Sequence, residues 1–264
     1  MIAGLLVVVS LALSFAMMGA WLLQRRTRNA GWVDPVWTFA LGAAGVIYAL
    51  APLAQPLTPR QGLVAAVVAI WSLRLGSHLV ARTRRGPEDS RYAQFRRHWG
   101  ATYERHMFWF LQIQAAASAF LALTILVAAR NPEPLGRADL LAVALAVMAF
   151  AGEALADRQL ERFRRTPGNQ GRICDRGLWR WSRHPNYFFE WLGWLAYPFF
   201  AIRHDGYLWG WVALSGPALI YFLLVHVSGI PPLEQQMLQT RGDAYRAYQA
   251  RTSAFFPAPH ARTA

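Results

Sequence analysis

Long apolar runs alternate with short arginine-rich segments along this 264-residue chain. Each run is about as long as the 20 or so residues that a helix needs to cross a bilayer. The first run is expected to stay as a span, because it has neither a basic start nor a small-residue cleavage site. We therefore predict an all-α, polytopic membrane protein that forms one domain over residues 1–264. The seven predicted transmembrane helices lie at residues 1–23, 33–53, 61–81, 107–129, 138–156, 185–202 and 207–227.

The distribution of charge predicts how the spans are oriented. All 27 basic side chains are arginines, and the formal net charge is +13. Basic loops are retained on the cytoplasmic side of a membrane. With the N-terminus outside, 22 of the 27 arginines lie in inner segments and 4 in outer ones, so the C-terminus is expected to be cytoplasmic. Nucleic-acid binding is not expected, because a basic soluble binder would not carry apolar runs of this length.

The stretch 176–197, RGLWRWSRHPNYFFEWLGWLAY, carries a dense set of polar side chains directly into an apolar helix. An ionisable group at membrane depth costs about 2.5 to 3.5 kcal/mol on insertion scales, so Glu190 predicts a function rather than packing. Arginines mixed with carboxylates and neutral hydrogen-bonding groups suit a large anionic cofactor, such as a phosphate-bearing dinucleotide. Neither glycine-rich phosphate-loop motif is present, and no histidine spacing favours a metal.

A second candidate site lies at the start of the predicted second span. There Asp34 precedes Pro35, and it could simply cap the helix. Alternatively, Asp34 is an acid kept protonated by apolar surroundings, so that it donates a hydrogen bond to a substrate oxygen. Tyr48, Tyr92 and Tyr103 are further candidate donors, which the sequence does not rank.

The segment GLWRWSRHPNYFFEWLGW resembles the C-terminal half of the steroid 5-alpha-reductase family, most closely its bacterial branch. The resemblance continues through ALADRQLERFRRTPGNQGRICDRG before it and PPLEQQMLQTRGDAYRAYQARTSAFFP after it. It implies an NADPH-dependent reductase of a carbon-carbon double bond conjugated to a ketone, for example in a 3-oxo-delta-4 steroid. It also implies a bacterial inner-membrane protein whose site opens to the cytoplasm, with the apolar enone entering from lipid. Residues 1–137 would then serve mainly the substrate and 138–264 mainly the cofactor.

The resemblance also implies roles for individual residues. Asp157, Arg164 and Arg172 match the family's nucleotide-contacting acid and arginines. Asn186 and Glu190 match the motif asparagine and glutamate near the nicotinamide. The full predicted cofactor-binding set is Arg82, Asp157, Arg164, Arg172, Arg183, His184, Asn186, Tyr187, Glu190, Tyr197 and Glu234.

On the substrate side, Asp34 resembles a second-span glutamate that holds the 3-keto oxygen together with a tyrosine. Leu79 stands where the steroid enzymes have that tyrosine, so either another tyrosine acts here or the substrate differs. Arg82 matches the arginine of a third-span His-x-x-x-Arg-Thr motif. The predicted catalytic residues are Asp34, Tyr48 and Tyr92.

The sequence leaves two other classes of protein as alternatives to the reductase. Isoprenylcysteine carboxyl methyltransferases share the Arg-His-Pro-x-Tyr segment and a Glu-rich tail, but they bind S-adenosylmethionine, which has no phosphate. The arginines of residues 158–183 and the acid at Asp34 favour NADPH over that methyl donor. A non-catalytic lipid or sterol binder is the third class. The sequence does not indicate an oligomeric state.

Overall fold

The structure is a computed structural model, and it describes residues 1–53, 56–86, 88–203 and 206–259. Within those ranges all regular structure is helical, which confirms the predicted all-α class. The α-helices are α1 Ile2–Thr27, α2 Val33–Leu50, α3 Pro59–Arg85, α4 Ser90–Trp99, α5 Tyr103–Ala129, α6 Arg137–Arg165, α7 Pro185–Trp194, α8 Ala196–Ala201, α9 Ser215–Phe222, α10 Ile230–Arg241 and α11 Asp243–Arg251. The 3-10 segments are Ala30–Trp32, Gly100–Thr102, Gly177–Arg180 and Leu208–Leu214, and Leu223–Val227 is a π-helix.

Among the described residues, six helical stretches are long and apolar enough to cross a membrane, as expected for a multi-pass integral membrane protein. Large apolar side chains such as Val8, Ile113 and Leu140 are exposed on them, which suits contact with lipid. The six stretches are Ile2–Thr27, Ala30–Leu50, Pro59–Arg85, Arg91–Ala129, Arg137–Arg165 and Leu208–Arg241.

The predicted sixth span, residues 185–202, is divided into α7 and α8 by a turn at Leu195. Pro198 explains the break, because it has no N–H to donate and its ring clashes with the carbonyl four residues earlier. Neither helix is long enough by itself to cross a bilayer. The count of seven spans and their orientation therefore stay predictions.

The chain forms two compact units. The first unit comprises Met1–Ala142 and Tyr197–Gly216, and the second comprises Val143–Ala196 and Pro217–Ala264.

In the first unit, α2 and α3 approach each other closely. A Cβ added at Gly42 would lie 2.1 Å from the Ser72 hydroxyl oxygen, so only glycine fits there. Ser72 donates a hydrogen bond to the Thr38 carbonyl over 3.1 Å. Small residues at such contacts are typical of helices packed within membranes. Since the two helices are consecutive and packed together, the start of α2 and the end of α3 lie at the same end of the unit.

A buried ion-pair network ties the start of α3 to the first turn of α6 and to the segment before it, all in the same unit. Arg60 is 2% exposed and donates to both carboxylate oxygens of Asp139, over 2.8 and 3.0 Å. The Arg60 guanidinium also donates to the Asn131 carbonyl over 2.8 Å, and Arg203 donates to Asp139 over 2.8 Å. Burying charges is costly unless they are paired and hydrogen-bonded, and the Arg60 and Asp139 side chains meet both conditions.

In the second unit, the loop before α7, residues 166–184, is held against α6 and against the C-terminal tail, which comprises residues 228–259 of the described chain. The Trp179 indole donates to the Ala156 carbonyl over 2.9 Å, and the Gln159 side chain accepts from the Leu178 N–H over 2.9 Å. Ser182 donates to the Phe255 carbonyl over 2.9 Å. These bonds place the polar residues that open α7 between α6 and the tail.

Candidate functional site

The first site is an acid and a tyrosine in direct contact in the first unit. Asp34 lies in the first turn of α2, and Tyr92 lies in the first turn of α4. The Tyr92 hydroxyl donates to Asp34 Oδ1 over 2.6 Å, and Arg91 Nη2 donates to Asp34 Oδ2 over 2.5 Å. Tyr92 is 2% exposed, whereas the side chain of Asp34 is 22% exposed. Of the candidate tyrosines, Tyr92 is therefore the one that the structure pairs with Asp34.

The other two tyrosines lie elsewhere in that unit. Tyr48 is 14 residues beyond Asp34 on the same helix, so it is about 21 Å away along the axis at 1.5 Å per residue. The guanidinium carbon of Arg96 lies over the ring of Tyr103, 4.4 Å from the centroid of that ring. The structure thus brings two of the three predicted catalytic residues together and places Tyr48 apart from them.

A small cleft adjoins the acid. Leu79 lines the cleft at the position where the resemblance implies a tyrosine. The tyrosine that contacts Asp34 is instead Tyr92, which lies on α4. The cleft is lined by Gly31, Asp34, Leu79, Arg82, Thr83 and Asp89.

Two acidic residues beside the cleft hold the neighbouring arginines in place. Asp89 accepts from Arg91 Nε over 3.0 Å and from Arg91 Nη2 over 3.1 Å, and it also pairs with Arg82. Burial by itself would raise the pKa of Asp89, but the charge and hydrogen bonds of Arg91 and the charge of Arg82 outweigh it and lower the pKa to about 2. Glu88 accepts from Arg96 Nη2 over 3.1 Å and from the Ala30 N–H over 2.9 Å.

Sequence reasoning missed Arg91 and Asp89 as parts of the site. A usable signal was nevertheless present, because an aspartate at the N-cap of a helix places its carboxylate beside the first-turn residues. Here Asp89 caps α4 and accepts from the Arg91 N–H over 3.0 Å. Arg82, which was predicted to bind cofactor, belongs to this cluster through its pairing with Asp89.

The second site, in the second unit, contains most of the predicted cofactor-binding residues. Asn186 in the first turn of α7 donates to Asp157 Oδ1 on α6 over 3.3 Å. Glu190, one turn further along α7, is buried and accepts from the Trp194 indole over 2.9 Å. An amide and two carboxylates thus lie where α6 and α7 meet, which suits recognition of hydroxyl and amide groups. Tyr197 is also buried, but it belongs to the first unit.

Four further predicted cofactor-binding residues form a clasp between the start of α7 and the tail, namely Arg183, His184, Tyr187 and Glu234. Arg183 Nε and Nη2 donate to the carboxylate of Glu234 over 2.6 and 3.2 Å, and Arg183 Nη1 donates to the Gln249 carbonyl over 3.2 Å. His184 Nε2 lies 3.2 Å from Glu234 Oε1 and its ring stacks on Tyr187. Since every guanidinium nitrogen of Arg183 is bonded within the protein, these bonds attach the tail, and the contact of this clasp with a cofactor stays a prediction.

The loop before α7 offers cationic groups to an anionic ligand. The side chain of Arg172 in this loop is exposed, and so is that of Arg164 in the last turn of α6, just before the loop. Arg241 Nε is buried and has no hydrogen-bond partner among the described residues. A terminal nitrogen of Arg241 would lie 3.9 Å from a Cβ built at Gly171, which has a φ of +79°. A guanidinium donor without an acceptor, close to the loop that carries the exposed Arg172, fits a phosphate group.

These observations define the class of protein: an all-helical, multi-pass integral membrane protein with an acid–tyrosine pair in one unit and an arginine-rich polar cluster in the other. No group of three or more histidines, cysteines or acids that could hold a metal occurs in the described part of the chain.

Comparison with known proteins then gives the family. The chain belongs to the family described as "Protein of unknown function (DUF1295)", which matches residues 20–252 and is associated with steroid 5-alpha-reductase-like proteins. A relative in Schizosaccharomyces pombe, the "Uncharacterized protein C594.04c", is 27% identical over 278 residues. That match covers 95% of this chain and 79% of the relative. No solved structure matches.

Proposed function

We propose that this protein is an NADPH-dependent membrane reductase that adds hydride to the carbon-carbon double bond of a conjugated ketone. The substrate would be a 3-oxo-delta-4 steroid or a similar apolar enone that enters from lipid. The observation that carries the proposal is the hydrogen bond of 2.6 Å between Tyr92 and Asp34, the second of which lines a small cleft. Such a pair supplies the polarising donor that conjugate reduction requires.

Each cluster has a separate task in the proposed reaction. The donor in the first unit hydrogen-bonds the ketone oxygen, where negative charge develops during the reaction. Arg164, Arg172 and Arg241 would bind the phosphates, and Asp157 and Asn186 would bind hydroxyl and carboxamide groups. Bound NADPH supplies the hydride, and the protein supplies its orientation.

The proposal includes the predicted topology of seven spans, with the N-terminus outside and the C-terminus cytoplasmic. The support is the arginine distribution, because an even number of spans would move basic segments to the outer side. In this topology α7 and α8 together form the sixth span, and the arginine-rich loop before α7 faces the cytoplasm of a bacterial inner membrane. NADPH is a cytoplasmic cofactor on this proposal.

The cofactor can be tested on the purified protein in detergent. A ligand of the native state at 100 times its Kd stabilises by about 2.7 kcal/mol. NADPH is expected to raise the melting temperature clearly, whereas S-adenosylmethionine is expected to leave it unchanged. A shift with S-adenosylmethionine alone would make the protein a methyltransferase of the isoprenylcysteine carboxyl type and would refute the reductase proposal.

Site variants then separate the two tasks. Arg172→Ala and Asn186→Ala are expected to lose the NADPH-induced shift, while Asp34→Asn keeps the shift and loses turnover of enones. Arg246→Ala is the matched control, because that arginine is exposed and pairs only with the exposed Asp243 among the described residues. Turnover is followed as NADPH oxidation, with the product identified by mass. NADPH binding without any turnover in a screen of conjugated ketones would instead indicate a non-catalytic sterol or lipid binder.

A further inference from the structure

One side of the first unit brings together the ends of four apolar helices. The Trp21 indole donates to the Glu104 carbonyl over 3.0 Å, which joins the C-terminal part of α1 to the start of α5. Thr83, near the end of α3, donates to the Gly31 carbonyl, just before α2, over 3.0 Å. Because only residues 28–32 separate α1 from α2, all four helix ends lie on the same side of the unit.

This arginine-rich end, residues 24–34 and 82–106, carries far more positive than negative charge. It contains ten arginines and four acids, so six positive charges have no carboxylate to balance them within it. Each of the four acids already pairs with an arginine of the same end. The ion pairs are Asp34–Arg91, Glu88–Arg96, Asp89–Arg91 and Glu104–Arg25. The excess charge therefore attracts an anion from outside the protein.

Helix dipoles explain part of this excess but not all of it. A positive charge is favoured at the C-terminus of a helix, which accounts for the arginines in the last turns of α1 and α3. Arg105 is instead the third residue of α5, where the dipole disfavours a cation. Arg28 follows α1 with a φ of +52°, a conformation that glycine or asparagine usually occupies at the end of a helix. Both side chains are exposed, so packing does not explain either arginine.

On α1 and α5 the arginines are followed by exposed apolar side chains. Leu22 lies one turn before Arg26 on α1 and is 42% exposed, and Trp109 lies one turn after Arg105 on α5 and is 62% exposed. Residues four apart share one face of a helix, so each helix presents a cation at its end and an apolar surface beside it. A phospholipid has the complementary arrangement, with a phosphate above its acyl chains. Exposed tryptophan at such a position is typical of the boundary between lipid and water.

We infer that the arginine-rich end binds anionic phospholipids, with Arg26 and Arg105 at the headgroup and Leu22 and Trp109 along the acyl chains. The excess of positive charge favours a headgroup with a net negative charge. In a zwitterionic headgroup the ammonium group cancels the charge of the phosphate, so such lipids bind less tightly. Each arginine near a membrane surface increases the affinity for anionic lipid about fivefold. The inference requires neither the proposed cofactor nor the proposed substrate.

Lipid titrations of the full-length protein in a neutral detergent test the inference. The probes are phosphatidylglycerol and phosphatidylcholine with the same acyl chains, and the melting temperature is measured. Phosphatidylglycerol is expected to raise the melting temperature at lower concentrations than phosphatidylcholine does. This difference should shrink at about 1 M salt, where the screening length is about 3 Å. Equal effects of the two lipids would overturn the inference.

Variants then locate the binding site. Arg26→Gln and Arg105→Gln should each weaken the binding of phosphatidylglycerol about fivefold, and together about 25-fold. Without lipid, Arg105→Gln should not lower the melting temperature, because it removes a cation from the start of a helix. The double lysine variant Arg26→Lys/Arg105→Lys keeps both charges and should keep the preference for phosphatidylglycerol. Arg137→Gln is the control, since this exposed arginine starts α6 outside the arginine-rich end. A wild-type preference in the double glutamine variant would overturn the inference.

Other anions and the other unit give distinguishable results. If inorganic phosphate or NADPH stabilises the wild type and Arg26→Gln/Arg105→Gln abolishes that effect, the arginine-rich end binds free phosphate groups, and the inference fails. It also fails if Arg162→Gln, an exposed position in the second unit, abolishes the preference for phosphatidylglycerol while the double glutamine variant keeps it. If NADPH does not stabilise the wild type but phosphatidylglycerol does, the proposed function fails and the lipid site is supported.

Discussion

Removing the Tyr92 hydroxyl is the sharpest single perturbation of the proposed site. Tyr92→Phe deletes one oxygen that lies 2.6 Å from Asp34 Oδ1, in a side chain that is 2% exposed. The short distance and the charged acceptor mark a strong hydrogen bond. Hydrogen bonds to charged groups contribute about 1.5 to 3 kcal/mol to stability, and Asp34 retains Arg91 after the change. We therefore expect a loss of stability near the lower end of that range.

The loss of turnover should be larger than the loss of stability. A donor to a developing oxyanion contributes about 2.7 to 4 kcal/mol to catalysis, so Tyr92→Phe is expected to lower kcat about 10²- to 10³-fold. The assay is NADPH oxidation with a conjugated ketone in detergent or proteoliposomes, beside melting curves with and without NADPH. The NADPH-induced shift in melting temperature should match that of the wild type, since Tyr92 belongs to the first unit.

Tyr103→Phe is the matched control for that experiment. Tyr103 is also buried, and its hydroxyl has no hydrogen-bond partner among the described residues. Its ring packs under Arg96, a contact that phenylalanine keeps. This variant should retain wild-type turnover. If Tyr92→Phe turned over enones at the wild-type rate, the proposed role of the Asp34–Tyr92 pair at the ketone oxygen would be refuted.

Three further predictions concern stability. Asp139→Ala leaves Arg60 buried without its carboxylate, so a loss of about 3 to 5 kcal/mol is expected in denaturant unfolding, and a loss below 1 kcal/mol would contradict this. The folded pKa of Asp89, about 2, lies below its unfolded value of about 3.9, so its stabilisation is present above about pH 4 and is lost as the pH falls towards 2. In Asp89→Asn this loss of stability between about pH 4 and pH 2 should be missing. The same fall in the free energy of unfolding in the variant and the wild type would contradict the stabilising role of the Asp89 carboxylate. Burial lowers the pKa of His184, although Glu234 opposes this shift, so the folded state binds the proton less readily than the unfolded state. The free energy of unfolding should therefore fall as the pH drops below about 6.5 in the wild type but not in His184→Gln. The same pH dependence in both proteins would contradict this prediction.

Hydrophobic pattern was a reliable guide to the helices that face lipid. The apolar runs at residues 1–23, 107–129 and 138–156 all lie within helices that are long enough to span a membrane, since in lipid the backbone must satisfy its own hydrogen bonds. The same pattern could not show that the run at 185–202 is divided at Leu195. Composition around the break, residues 191–202, is apolar, and the break follows from one missing N–H at Pro198.

At the candidate site, residue type alone identified Asp34, because a carboxylate at the mouth of a span is costly unless it is used or paired. Which tyrosine pairs with it could not be read from the chain. Tyr48 and Asp34 share a helix, yet they are separated along it, whereas Tyr92 is 58 residues away in sequence and 2.6 Å away in space. Arg91 was one of many arginines, and only its place in the first turn after the N-cap residue Asp89 distinguished it from the others.

The order of apolar and basic segments by itself determined that this is a helical membrane protein with a polar cluster near Arg172 to Glu190, because the cost of placing polar groups in hydrocarbon acts on each segment separately. Only the tertiary structure decided that Tyr92 and Arg91 converge on Asp34 and that Arg183 is bonded to Glu234. Hydrogen bonds and ion pairs depend on distances of about 3 Å between distant parts of the chain, and around Asp34 those distances follow from the close packing of α2 against α3 and from the hydrogen bond of Glu88 to the Ala30 N–H.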